Sequence, residues 1–202
     1  MQVVLLRWWM AKENYASYED FARKYEVNPY EPKQLKWSDV LEATLKAKLR
    51  DIDFVEIERL NKHYADYQIR KIMFEKYLPY LQDGAIFIGH SLWGSFALKY
   101  FAQNPQLLDK FKKIILVAPA VEDTKEELLW SFKPSFEELT RLKNFQHKLV
   151  VFASKDDPIV PYQGIQKLQK VLPQAKYYIF ENKGHFWDLE FPELVKELMN
   201  TW

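Results

Sequence analysis

Short apolar runs alternate with longer stretches of helical periodicity along this chain. Six runs have the length and composition of strands: VVLL (3–6), FVEI (54–57), AIFIG (85–89), KIILVA (113–118), KLVVFAS (148–154) and KYYIF (176–180). Runs of this kind, separated by helices, are typical of parallel strands covered on both faces. The pattern predicts an α/β fold with a mostly parallel six-stranded sheet in the order 2-1-3-4-5-6 and helices on both faces.

The intervening stretches carry signals for the starts and ends of helices. In KWSDVLEATLKAKL, Ser38 is the predicted N-terminal cap of a helix. Further helices are predicted over 91–103, 161–172 and 191–200. Residues 119–147 have no strand pattern and are predicted to form two short helices rather than a large lid.

Composition supports one domain over residues 1–202. A chain of 202 residues with 48% hydrophobic residues can bury one core, and nothing in its length requires a second. The 29 basic residues nearly balance the 28 acidic ones, so neither nucleic acid nor a membrane surface is an expected partner. The absence of cysteine excludes disulfides and fits a reducing compartment.

The N-terminal sequence MQVVLLRWWMAKEN is a poor secretory signal, because Arg7 interrupts its apolar run and no basic segment precedes it. No apolar run reaches the roughly 18 residues of a membrane-spanning helix. A cytoplasmic location is therefore expected.

The segment FIGHSLWGSF (87–96) places a serine where the third predicted strand gives way to a helix. Gly89, two residues before Ser91, suits a nucleophile elbow, the tight strand-to-helix turn that exposes a catalytic serine. Trp93, two residues after it, occupies a position where glycine normally permits close backbone approach.

Two other strand ends carry the remaining residue types of a catalytic triad. Asp157 follows the fifth strand in SKDDPIVP, and His185 follows the sixth in NKGHF. The carboxyl ends of parallel strands meet at one edge of a sheet, so these side chains should converge with Ser91. The chain order of serine, acid and histidine is that of α/β-hydrolases.

These three residue types serve separate chemical purposes. Histidine has a pKa suited to taking the proton of Ser91 and returning it to the leaving group, while Asp157 orients the imidazole. An oxyanion hole is predicted from the backbone N–H of Leu92 together with that of Trp8 or Trp9 in the loop after the first strand.

The segments GHSL-G, SKDDPIVP and GHF together resemble the small serine hydrolases related to retinoblastoma-binding protein 9, over nearly the whole chain. The resemblance implies a single-domain α/β-hydrolase in which Asp157, rather than Asp156, is the triad acid. It also implies glycine at the positions of Trp9 and Trp93, so both tryptophans are departures from the family pattern. A narrowed aromatic substrate pocket follows, lined by Trp9, Trp93, Phe186 and Trp187.

Simpler interpretations exist for each candidate. Ser91 could be an ordinary turn serine and Asp157 a helix cap. The side chain of His90 is expected to point away from Ser91 in a structural role. His63 and His147 lack metal-ligand spacing and are expected at the surface or in helix caps.

The predicted function is cleavage of small ester or amide substrates by a serine hydrolase of the carboxylesterase type, through an acyl-enzyme. Neither a metal nor an organic cofactor is expected, and the chain is expected to act as a monomer or weak homodimer. One alternative is a binding module of the same fold whose site the tryptophans obstruct. A weaker alternative is a flavodoxin-like binder of a phosphorylated ligand, which the shortage of glycine and hydroxyl residues at the strand ends disfavours.

Overall fold

The computed structural model describes residues 1–6, 15–24, 35–49, 51–57, 66–123 and 129–201. Its strands are β1 (Gln2–Leu6), β2 (Asp53–Glu56), β3 (Ala85–His90), β4 (Phe111–Val117), β5 (Leu149–Ser154) and β6 (Lys176–Phe180). They form one sheet in the order β2-β1-β3-β4-β5-β6, and each neighbouring pair is parallel. The predicted fold and strand order are confirmed.

The helices are α1 (Tyr15–Lys24), α2 (Trp37–Lys48), α3 (Tyr67–Tyr77), α4 (Leu92–Gln103), α5 (Phe136–Leu139), α6 (Tyr162–Val171) and α7 (Pro192–Met199). The stretch predicted as two short helices contains α5, with 3-10 turns at Trp130–Phe132 and Thr140–Lys148. No helix in the described part of the chain has the length and apolar character needed to cross a membrane.

Alternating strand residues divide the core between the two faces of the sheet. Val3 and Leu5 of β1 belong to a core cluster that includes residues of α2 and α7, whereas Val4 and Leu6 belong to a second cluster that includes residues of α3, α4 and α6. This alternation follows from the two-residue period of a strand. Because both faces are covered, the central strands are apolar along almost their whole length.

The predicted cap at Ser38 is wrong. Helix α2 begins at Trp37, and its N-cap is Lys36, whose backbone N–H donates to the carboxylate of Asp39 (3.0 Å). The backbone N–H of Trp37 donates to the carbonyl of Asp188 (2.8 Å), and its side chain is buried. The start of α2 thus coincides with tertiary contacts of Trp37. These contacts outweigh the local sequence preference for a cap at Ser38.

A buried carboxylate ties together the edge of the sheet at which the strands begin. The side chain of Glu197, in α7, is 1% exposed and accepts hydrogen bonds from Lys113 in β4 and from Lys176 (2.7 Å) and Tyr178 (2.7 Å) in β6. Burial alone would raise the pKa of Glu197, but these hydrogen bonds outweigh burial and lower it to about 2. The network fastens α7 to two strands.

We expect Glu197→Gln to lower the free energy of unfolding at pH 7 by about 3 kcal/mol, because the substitution leaves two lysines without their buried partner. In the wild type, this contribution is present above the ordinary pKa of 4.5 and is lost as the pH falls toward 2. Urea unfolding across this pH range should therefore show a flatter pH dependence for the variant.

The control for this measurement is Glu181→Gln, which removes a surface pair with Lys155 whose side chains are 74% and 46% exposed. An exposed pair contributes less than about 1 kcal/mol. Equal losses in the two variants would contradict a special role for Glu197.

Candidate active site

Ser91 occupies a strained turn between β3 and α4. Its backbone angles are φ 57° and ψ −122°, in a region that residues other than glycine rarely adopt. The backbone N–H of Ser91 donates to the carbonyl of Val117 in the neighbouring strand (2.8 Å). The turn is therefore held by the sheet itself, as a nucleophile elbow requires.

Two glycines allow the backbone to pack tightly at this turn. A Cβ atom on Gly89 would lie 2.7 Å from the carbonyl oxygen of Trp93. A Cβ atom on Gly94 would lie 2.7 Å from Cβ and 2.9 Å from Cα of Pro119. The close approach on the helix side thus occurs at Gly94, three residues after Ser91, and the position of Trp93 does not need glycine.

The side chain of Trp93 packs within the helical layer. It is 3% exposed, and its ring centroid lies 5.2 Å from that of Phe96 and 5.5 Å from the guanidinium carbon of Arg70. Among the described residues, the buried indole nitrogen Nε1 has no hydrogen-bond partner. Trp8 and Trp9 lie outside the described residues, so the stacking of Trp9 on Trp93 and the oxyanion role of Trp8 or Trp9 remain predictions.

The structure brings the side chains of Ser91, His185 and Asp157 together at the carboxyl edge of the sheet. Nε2 of His185 lies 3.0 Å from Oγ of Ser91. Nδ1 of His185 lies 2.8 Å from Oδ2 and 3.1 Å from Oδ1 of Asp157. No aromatic ring separates the hydroxyl from the imidazole, since the two are in direct hydrogen-bond contact.

These contacts define the protonation pattern of the resting site. Because an ionised carboxylate can only accept, Nδ1 of His185 carries a hydrogen and donates it to Asp157. In a neutral imidazole Nε2 is then an acceptor, so the hydroxyl of Ser91 donates to it. In this arrangement the hydroxyl hydrogen of Ser91 points toward Nε2 of His185.

The two adjacent aspartates have different partners. Oδ1 of Asp157 accepts the backbone N–H groups of Ile159 (2.8 Å) and Val160 (2.9 Å), which hold its carboxylate toward His185. Oδ1 of Asp156 instead accepts the hydroxyl of Ser154 (2.5 Å) and the backbone N–H of Gly184 (2.9 Å). Asp157 therefore faces the imidazole of His185. Asp156 instead binds the backbone of the loop that carries His185.

The loop of His185 is held by two further ring nitrogens that sequence reasoning did not connect with the site. Nε2 of His90 lies 3.1 Å from the carbonyl oxygen of His185, and Nε1 of Trp37 donates to the carbonyl of Phe186 (3.0 Å). His90 could have been suspected from its place beside Ser91. Nothing in the sequence pointed to Trp37, because it lies 148 positions before His185.

The residues predicted to line the substrate pocket occupy different surroundings. Phe186 is buried in the core, with its ring centroid 5.1 Å from that of Phe191. Trp187 is 39% exposed, and its ring centroid lies 5.7 Å from that of His185. The lining of the pocket by Trp93, Phe186 and Trp187 remains a prediction. His147 is exposed, and His63 lies outside the described residues.

The backbone N–H of Leu92 lies at the start of α4, directly after Ser91. The first N–H groups of a helix have no acceptor within the helix, and they lie at the positive end of its dipole. Leu92 can therefore present a donor next to the serine hydroxyl, which is what the predicted oxyanion role requires.

Comparison with known proteins identifies the family. A family model described as serine hydrolase matches residues 31–190. Serine hydrolase RBBP9 of the rat, Rattus norvegicus, is 30% identical over an alignment of 129 residues, and the match covers 59% of this chain and 66% of the rat protein. The match thus spans slightly less than two thirds of that relative's length.

Solved structures support the fold. The ydeN gene product of B. subtilis superposes with a TM-score of 0.67 at 17% identity, covering 99% of this chain and 97% of that one. A meta-cleavage product hydrolase from Pseudomonas fluorescens gives a TM-score of 0.60 at 10% identity, covering 98% and 88%. At these identities the likeness concerns the α/β-hydrolase fold alone.

We expect Gly94→Ala to lower the free energy of unfolding by about 2 kcal/mol, because the added methyl group meets the backbone and ring of Pro119. Helix propensity alone would predict the opposite change, because alanine stabilises a helix by about 1 kcal/mol relative to glycine. The matched control is Gly164→Ala in α6, where the new Cβ would meet side chains rather than backbone: a methyl group of Val121 at 2.9 Å, and atoms of Glu122 at 3.8 and 3.9 Å. Chemical denaturation should show a clearly smaller loss for Gly164→Ala, and equal losses would contradict the tight contact at Gly94.

Proposed function

We propose that this chain, which belongs to the serine hydrolase family, cleaves small ester or amide substrates through a triad of Ser91, His185 and Asp157. The observation that carries the proposal is the 3.0 Å contact between Oγ of Ser91 and Nε2 of His185. A hydroxyl in this position can lose its proton to the imidazole as it attacks a carbonyl carbon.

In the first half of the reaction, Oγ of Ser91 forms a bond to the substrate carbonyl carbon while its proton moves to Nε2 of His185. The resulting tetrahedral intermediate then loses its alcohol or amine. The leaving group takes the proton from His185, and an acyl group remains on Ser91. In the second half, water attacks the acyl carbon with His185 again acting as base, which releases the acid and restores the hydroxyl.

Charge changes during these steps are matched by fixed groups. Asp157 stabilises the imidazolium that forms on His185, and its own orientation is fixed by the N–H groups of Ile159 and Val160. The backbone N–H of Leu92 is proposed to stabilise the negative oxygen of the intermediate. A second donor is proposed from the backbone of Trp8 or Trp9.

The proposal favours small or short-chain substrates. The described parts of the segment between β4 and β5 form short helical turns rather than a bulky cap. The half-exposed ring of Trp187 beside His185 offers an apolar surface to one end of the substrate. A carboxylesterase-type preference for uncharged esters is consistent with both features.

One observation favours the alternative of a binding module without turnover. Ser91 is 3% exposed and His185 is fully buried, so little of the reacting pair is open to a substrate. A site closed in this way could retain a ligand without reacting with it. Labelling of the serine distinguishes the two functions.

We expect a fluorophosphonate probe to label the wild-type protein and not Ser91→Ala, because only an activated serine displaces fluoride from phosphorus. Labelling is measured by intact-protein mass spectrometry, and a pre-steady-state burst with p-nitrophenyl acetate tests the acyl-enzyme. Folded wild-type protein that resists the probe would favour the binding module.

The paired aspartates provide a matched test of the triad acid. We expect Asp157→Asn to reduce kcat on the order of 1000-fold, because the amide no longer stabilises the imidazolium or fixes the tautomer of His185. Asp156→Asn should reduce kcat by about ten-fold or less, since the hydrogen bonds of Asp156 are to the hydroxyl of Ser154 and the backbone N–H of Gly184 rather than to the imidazole. The reverse ranking in steady-state kinetics would assign the acid to Asp156.

A further inference from the structure

We propose that His90 is a positioning residue that fixes the loop of His185 relative to Ser91. This inference rests on the proposed function, because it assigns His90 a part in placing the base of that reaction. His90 is the last residue of β3 and directly precedes Ser91 in the chain. A hydrogen bond from its ring to the loop that carries His185, here called the base loop, therefore fixes the distance between that loop and Ser91.

The key contact is a buried hydrogen bond. His90 is 2% exposed, and its Nε2 lies 3.1 Å from the carbonyl oxygen of His185. A carbonyl oxygen can only accept, so Nε2 of His90 carries the hydrogen. The main chain of His185, the proposed base, is therefore held by a hydrogen bond from His90, which belongs to strand β3.

The loop needs such ties because its backbone is strained. Gly184 has φ +50° and Phe186 has φ +56°, so the residues on both sides of His185 adopt the left-handed region. For Phe186 this conformation is unfavourable and persists only when surrounding contacts enforce it. The carbonyls of His185 and Phe186 both receive a ring N–H, from His90 and Trp37 respectively.

The charge state of His90 suits this position. Burial, and secondarily the proximity of His185, lower the pKa of His90 well below 6.5, so its ring is neutral at neutral pH. The two imidazole rings lie 5.0 Å apart between centroids. A neutral neighbour lets His185 become positively charged during the reaction without repulsion from a second cation.

Two substitutions separate hydrogen bonding from packing. His90→Phe keeps a planar ring of similar size but has no donor. His90→Gln loses the ring, yet its amide nitrogen lies about as far along the side chain as Nε2 and can donate to the same carbonyl. A residue that only fills space should tolerate phenylalanine better than glutamine.

We expect the opposite ranking in kcat for p-nitrophenyl acetate. His90→Phe should lower kcat about ten-fold with little change in KM, as loss of one positioning hydrogen bond predicts. His90→Gln should remain within about three-fold of the wild type. Equal rates for wild type and His90→Phe, or a lower rate for His90→Gln than for His90→Phe, would overturn the inference.

A second measurement does not depend on turnover. The hydrogen between Nδ1 of His185 and Asp157 should give a sharp downfield proton NMR signal in a Ser91→Ala background. The signal should stay sharp with His90→Gln, which keeps a donor to the base loop. It should broaden with His90→Phe, because the loop becomes mobile when that donor is lost. An unchanged signal in His90→Phe overturns the positioning role, whereas a protein without esterase activity that shows the broadening overturns only the proposed reaction.

Discussion

The hydrogen bond between Ser91 and His185 is the interaction on which the site depends. It joins groups that are 94 residues apart in the chain, at 3.0 Å. The parallel sheet makes this possible because β3, β5 and β6 all end at the same edge. Strand order and direction are thus the first requirement of the proposed chemistry, and the loop contacts refine positions that the sheet has already set.

Much of the fold was predictable because its signals are local and repeated. Apolar runs marked each of the six strands, and the alternation with helices implied a parallel sheet. The positions of Ser91, Asp157 and His185 in the segments that follow three of the strands then suggested a common edge. The strands required only composition and period, whereas the three site residues also required their motifs, their order in the chain and the family resemblance that favoured Asp157 over Asp156.

Other features depend on contacts that no local pattern encodes. The close approach at the elbow falls on Gly94 and Pro119, so the expectation of crowding at Trp93 could not be judged from the spacing of glycines alone. The start of α2 coincides with a hydrogen bond to distant Asp188 and precedes the predicted cap at Ser38. The tie from Trp37 to Phe186 spans most of the chain, and no sequence period relates its two ends.

The Glu197 network has a consequence for how the molecule tolerates change. It lies where β4 and β6 begin, whereas the serine, histidine and aspartate lie where strands end. Because this ion cluster fastens the last helix at one rim of the sheet, a change in a loop at the opposite rim leaves that fastening in place. Divergence in substrate preference among proteins built this way can therefore accumulate in the loops while the fastening of the last helix is left untouched.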